Sequence, residues 1–217
     1  MNFSAARRAS CRFQPRTSLR YNALGKALLD PAYPFVAKCL SGSKRPLLDI
    51  GCGAGFLASY LRASGHTAPI VGLDADGQKI AAASRALEAD DCDFSRRDAL
   101  DLPDHCGDVV MLDVIHYFSA NDQARLLEAI AARIAPGGVG LVRLTLRDKS
   151  WRFRATCIEE SFVNASGWIP FRGIHFPRRE ELLECAGRHG LQTTLLPMWG
   201  ITPFNSYMLE LRHAQKS

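Results

Sequence analysis

Residues 47–56 read LLDIGCGAGF, and how these ten residues are read decides the fold. Leu47, Leu48 and Ile50 form an apolar run of the kind found in strands covered on both faces by helices. Asp49 stands inside the run. The chain then places glycine at every second position, Gly51, Gly53 and Gly55. Glycine adopts backbone conformations closed to other residues and lets a ligand approach the chain closely. A strand opening into such a loop and then a helix grips nucleotide-like ligands in open α/β sheets. The dinucleotide fingerprint G-x-G-x-x-G needs its third glycine one residue later, where this chain has Phe56. That spacing, with no second substrate domain in view, argues against a dehydrogenase.

Working outward, strands and helices alternate with short connections. Residues 46–50 read as a strand, and 54–63 as a helix stopped by Gly65. Residues 69–74 (PIVGLD) read as a second strand. Asp76 caps a helix to about residue 89 on a stripe of Ile80, Ala83 and Leu87. Residues 92–96 are a third strand and 108–115 (DVVMLDVI) a nearly all-apolar fourth. A helix starts at Asn121 or Asp122 and ends at the PGG of 136–138, and 139–146 is a fifth strand. The pattern then breaks into an Arg-rich, aromatic segment, with a helix over 152–164 and another over 177–189. Residues 191–196 and 204–211 alternate as two strands of an antiparallel hairpin joined across 197–203. The sum is an α/β fold: a doubly wound, mostly parallel seven-stranded sheet ending in an antiparallel hairpin. Residues 1–45 read as a basic extension with one lid helix over 19–40. Residues 46–217 read as the main domain, with a cap inserted at about 148–177.

Composition bounds the partners. The 217 residues, 47% of them hydrophobic, suffice for one domain with a sizeable core. A net charge of +5 is too mild and too dispersed to point to nucleic acid. Residues 1–29 hold five arginines and a lysine and no acid. That balance has the charge of an organelle-targeting segment, but it reads as a basic, partly disordered tail. No run approaches the roughly 18–20 apolar residues of a membrane span. Seven cysteines, none at C-x-x-C spacing, and six scattered histidines imply neither a disulfide framework nor a metal site. They suit a reducing, cytoplasmic setting.

Two further acids fall at strand ends. Asp74 closes the second strand and can accept from a pair of ribose hydroxyls, a feature dinucleotide enzymes share. Asp98, in RRDALDLP (96–103), follows the third strand and can accept from an adenine amino group. With LLDIGCGAG, VGLDAD, RDALDLP, VVMLDVIHYF and PGG together, the chain resembles the class I S-adenosylmethionine-dependent methyltransferases over roughly residues 46–146 and the final hairpin. The resemblance implies S-adenosylmethionine as cofactor, and its lack of a pyrophosphate accounts for the missing G-x-G-x-x-G. It implies that Asp49, Gly51, Cys52, Gly53 and Gly55 line the methionine part and that Asp74 binds the ribose. Asp98 then faces the adenine with Ala75 and Ala99 beside it, and Asp113 borders the methyl end.

The acceptor must be sought at the end of the fourth strand and in the cap. His116, in DVIHYF (113–118), is the first candidate general base, because a neutral imidazole titrates near working pH. It is equally suited to packing on the cofactor, and Tyr117 and Phe118 suit an aromatic wall or the core alike. Methyltransferases of amino groups carry an Asn/Asp-Pro-Pro-aromatic run where this chain has DVIH. Oxygen or activated-carbon nucleophiles remain. Arg147, Lys149, Arg152 and Arg154, with Trp151 and Phe153 between them, suit an anionic acceptor such as a carboxylate or a carrier-linked acyl group, or a solvated helix face. Trp168, Phe171, Arg172 and His175 suit an aromatic or phenolic acceptor, with His175 as second candidate base. The carboxyl-terminal LPMWGITPFNSYMLEL also resembles methyltransferases encoded with aryl polyene pigment biosynthesis. The expectation is methyl transfer to a phenolic or aromatic small molecule. RNA methylation, with the basic tail and cap as phosphate surface, is the alternative.

Overall fold

The structure is a computed structural model. It describes residues 3–14, 17–165, 173–200 and 203–214, with the backbone alone for 159–165. Three helices come first: α1 (Phe3–Ser10), α2 (Ser18–Leu29) and α3 (Ala32–Cys39). Then β1 (Leu47–Ile50), α4 (Phe56–Ala63), β2 (Ile70–Asp74), α5 (Gly77–Ala86), β3 (Cys92–Arg96) and β4 (Asp108–Leu112) follow in βα alternation. After a single 3-10 turn at Ile115–Tyr117 come α6 (Ala120–Ala131), β5 (Gly140–Thr145), α7 (Trp151–Ala165) and α8 (Arg179–Arg188). The last two strands are β6 (Leu191–Pro197) and β7 (Ser206–His213).

The seven strands lie in the order β3-β2-β1-β4-β5-β7-β6, with β7 antiparallel to both its neighbours and the rest parallel. The doubly wound sheet with its terminal antiparallel hairpin is therefore present as expected. The order reverses at β1, which pairs with β2 on one side and β4 on the other. Ile50 is level with Leu73 and with Met111, so three strands end side by side. Ligands in open α/β sheets bind at such a reversal, outside the carboxyl ends. Alternating residues of β1 feed opposite faces. Leu47 packs with α3, α4 and α5, while Leu48 and Ile50 pack with α6 and α8.

Several boundaries differ from expectation, among them the helix expected to run to the PGG of 136–138, which stops at Ala131. The extension is not a loose tail at its start: α1 buries Ala5, Ala6 and Ala9, and Ser59 of α4 donates to the Ala9 carbonyl at 2.8 Å. Alanines carry too weak an apolar signal to reveal such a face. The single lid helix is two, because Pro31 drives Asp30 out of the helical region (ψ 112°). The fourth strand stops at Leu112, since Asp113 takes φ +60° and turns the apolar residues after it into the 3-10 turn. The helix after Asp76 ends at Ala86 rather than 89, with Leu87 as its cap.

Candidate active site

The glycine loop leaves β1 with Gly51, Gly53 and Gly55 at φ +75°, +55° and +79°. The alternation of glycines is thus an alternation of left-handed residues. Gly51 also needs its bareness: a β-carbon there would stand 2.2 Å from Cγ2 of Val114. The loop is sewn to β2 by its backbone, with Gly51 and Cys52 both donating to the Leu73 carbonyl at 2.7 and 2.8 Å. Asp74, at the end of β2, accepts from Gly53 N–H through Oδ2 (2.9 Å) and from Asp76 N–H through Oδ1 (2.8 Å). Each oxygen keeps a lone pair for a further donor. Asp76 is committed elsewhere, to capping α5 through Gln78 and Lys79.

Beneath the loop lies Asp49, 2% exposed, whose Oδ2 has no hydrogen-bond partner. Burial, and then the charge of Asp74, push its carboxyl up to about 7. Burial likewise raises the Cys52 thiol, which makes it a packing group rather than a nucleophile. Farther along the strand ends, Asp98 is exposed and accepts from Leu100 N–H at 2.8 Å. Asp74 pairs in register with Arg96, so Asp98 lies two residues past the same level. Ala75 is exposed, with its carbonyl accepting from Arg96 Nε at 3.0 Å, and Ala99 packs on the core below.

At the end of β4, Asp113 receives Arg143 of β5 through both oxygens, each at 2.7 Å. The same guanidinium holds Asp30, at the break between α2 and α3. Burial would raise the Asp113 carboxyl, but Arg143, and next Lys26, hold it below the usual carboxylate range. The Tyr33 phenol, buried in α3, feels the charges of Asp30, Arg143, Asp49 and Asp113; burial above all pushes its pKa up. The amino-terminal helices therefore reach the same strand ends as the glycine loop. Asp30, Tyr33 and Arg143 carry no motif, and only the chain's folding back on itself brings them there.

His116 is 2% exposed in the 3-10 turn, with its ring 4.3 Å from that of Tyr117 and 5.8 Å from that of Phe176. Phe153 of α7 meets Phe176 edge-on at 5.3 Å. The structure brings His175 beside His116: its N–H donates to the His116 carbonyl at 2.8 Å, and its side chain is exposed. The Arg152 guanidinium lies 4.8 Å from the rings of both Trp151 and Trp199. Arg147, Lys149 and Arg154 are exposed. Buried Asn205 anchors the start of this region, donating to the Leu146 carbonyl (2.9 Å) and to Asp148 (2.8 Å). Trp168, Phe171 and Arg172 lie outside the described residues.

The arrangement suits a ligand that brings hydrogen-bond donors to Asp49 and Asp74. A buried carboxylate oxygen without a partner calls for a donor, and Asp74 has acceptor capacity free above a loop whose glycines leave its backbone bare. Among the described residues, no group of three or more His, Cys, Asp or Glu could hold a metal, and no helix is long and apolar enough to cross a membrane.

The chain matches the family model described as a methyltransferase domain over residues 21–196. A search of curated proteins found no match. Among solved structures, it is similar to the magnesium protoporphyrin IX methyltransferase of Synechocystis with bound SAH (17% identity, TM-score 0.66), over 93% of this chain and 90% of that one. It is also similar to mitomycin 7-O-methyltransferase (20%, TM-score 0.69), over 90% of this chain and 56% of that one. A third is an O-methyltransferase of neocarzinostatin biosynthesis, solved with S-adenosyl-L-homocysteine and 1,4-dihydroxy-2-naphthoic acid (19%, TM-score 0.65; 89% and 56%). The chain thus spans only about half the length of these two O-methyltransferases, and at such identities the likeness is one of fold. The family match, which takes in most of the sequence, carries more: this chain belongs to the methyltransferase-domain family.

Proposed function

We propose that this methyltransferase moves the methyl of S-adenosylmethionine to a phenolic oxygen or an activated aromatic carbon of a small molecule. The observation that carries the proposal is His116 in the turn after β4, its ring against those of Tyr117 and Phe176 with Phe153 beyond, and the backbone of His175 bonded to its carbonyl. S-adenosylmethionine, when bound, supplies a methyl already activated for transfer. The chain's work is to align the acceptor and, where the acceptor is a phenol, to take its proton. His116 is the first base and His175 the second.

On this reading Asp49 accepts the cofactor's amine. The backbone of Gly51, Cys52, Gly53 and Gly55 follows its methionine part, and Asp113 borders the methyl. Asp74 takes the ribose hydroxyls and Asp98 the adenine amino group, with Ala75 and Ala99 flanking the ring. The helices α2 and α3 close over this half as a lid, through Tyr33 and Asp30. The described part of the segment at about 148–177 caps the acceptor half. Arg147, Lys149 and Arg154 on that cap suit an acceptor that carries a carboxylate or is borne on an acyl carrier. The dihydroxynaphthoic acid bound by one structural neighbour and the resemblance of residues 196–211 to aryl polyene methyltransferases point to the same acceptor class.

The test is a panel of phenols and carrier-linked aromatic acids incubated with methyl-labelled S-adenosylmethionine. Label is expected in a phenol or aromatic acid, and His116→Ala is expected to slow turnover about 100-fold or more at unchanged cofactor affinity. Label appearing only in RNA, with binding that weakens steeply with salt, would replace this reading with RNA methylation.

A further inference from the structure

The two histidines are joined by a side chain outside every motif. Gln123, in the first turn of α6 and 5% exposed, aims its amide nitrogen at three carbonyl oxygens. Two of them, Ile115 and Phe118 (both 3.1 Å), stand on either side of His116 and Tyr117 in the turn. The third, His175 (2.7 Å), comes from the segment returning out of the cap, 52 residues away in sequence. Only the NH₂ end of the amide can face three acceptors, and its two hydrogens are shared among them. Capping α6 does not require this group, because Ser119 Oγ already accepts from Asp122 N–H. The returning segment is held twice more by backbone: His175 N–H on the His116 carbonyl, and Arg147 N–H on the Pro177 carbonyl at 2.9 Å.

We infer that Gln123 is a positioning residue for the acceptor half of the site. It latches the returning segment of the cap onto the His116 turn and so fixes, relative to one another, the two stretches of backbone that carry the imidazoles. A buried amide shared among three carbonyls is costly to remove: the Ile115 carbonyl still accepts from Phe118 N–H, but the His175 carbonyl loses this donor and keeps its desolvation cost. The latch touches none of the loops after β1, β2 or β3, so its loss spares the cofactor half. The catalytic meaning of the inference rests on His116 and His175 acting on the acceptor; the latch itself rests on the hydrogen bonds alone.

The test uses the full chain with Gln123→Met, close in size but without donors, and Gln123→Glu, which regains one donor only when protonated. Amide exchange is read first. In Gln123→Met the His175 amide is expected to exchange about tenfold faster than in wild type. The amides of Gly51 and Cys52, bonded to Leu73, should keep their rates. In Gln123→Glu, protection of His175 relative to wild type should return as the pH falls and the carboxyl protonates. With a labelled phenol from the panel, Gln123→Met should lower kcat/KM about tenfold without moving the midpoints of the pH profile or the affinity for S-adenosylmethionine. Wild-type exchange at His175 in Gln123→Met overturns the latch whatever the activity. Wild-type turnover in both His116→Ala and His175→Ala sinks the catalytic reading instead, and leaves the exchange result standing.

Discussion

At the scale of single residues, the site is a matter of where a carboxylate is allowed to be charged. Asp49 is buried with one oxygen unpartnered, and its carboxyl ionises only near 7. In the unfolded chain it ionises near the ordinary 3.8. Between those two values the folded protein holds a proton that the unfolded chain has released. Stability of the ligand-free protein therefore falls as pH rises across that window and levels off above it. Asp49→Asn, which needs no proton to be neutral, is expected to flatten this slope and raise the midpoint of thermal unfolding at pH 7.5. An unchanged slope in scans from pH 4 to 8 would show that Asp49 does not set it. The residue-level features legible in the sequence were those fixed by backbone geometry: three left-handed glycines and the acids at strand ends. Gln123, Asn205 and Arg143 were not legible, because each has a partner far along the chain, 52 residues for Gln123, 59 for Asn205, and 30 and 113 for Arg143, and no local pattern encodes them.

At the scale of elements, Arg143 ties the amino-terminal helices to the sheet. Its guanidinium joins Asp30, between α2 and α3, to Asp113 at the end of β4. Removing it strands two carboxylates, one largely buried and one partly exposed. Arg143→Met is therefore expected to cost about 2–4 kcal/mol, seen as a lower urea midpoint. Because the Asp113 carboxyl is held below its usual range, the bond's contribution is complete above the ordinary carboxylate range and is lost as pH falls below it. In Arg143→Met that acid limb should shrink, and a mutant as acid-sensitive as wild type would contradict the assignment. Most strands and helices were legible from apolar runs and turn residues. The breaks inside α2–α3 and after β4 were not, since Pro31 and Asp113 act on backbone angles while the apolar pattern runs on past them.

At the scale of the whole molecule, the strand order has a consequence for how the protein is made. The strand β6 is synthesised before β7 yet, among the described residues, pairs with no strand except β7, which lies between it and β5. A ribosome that has produced β6 has therefore produced an orphan: β1 to β5 can assemble, while residues 191–197 wait with nothing to pair with. Protease treatment of stalled nascent chains is expected to cut within that stretch until the whole of β7 has cleared the exit tunnel, and then to stop cutting there abruptly. Protection appearing earlier would mean that β6 docks by some other route. The sheet is thus completed by a single insertion that seats two strands at once, with its edge strand waiting for the strand that comes after it.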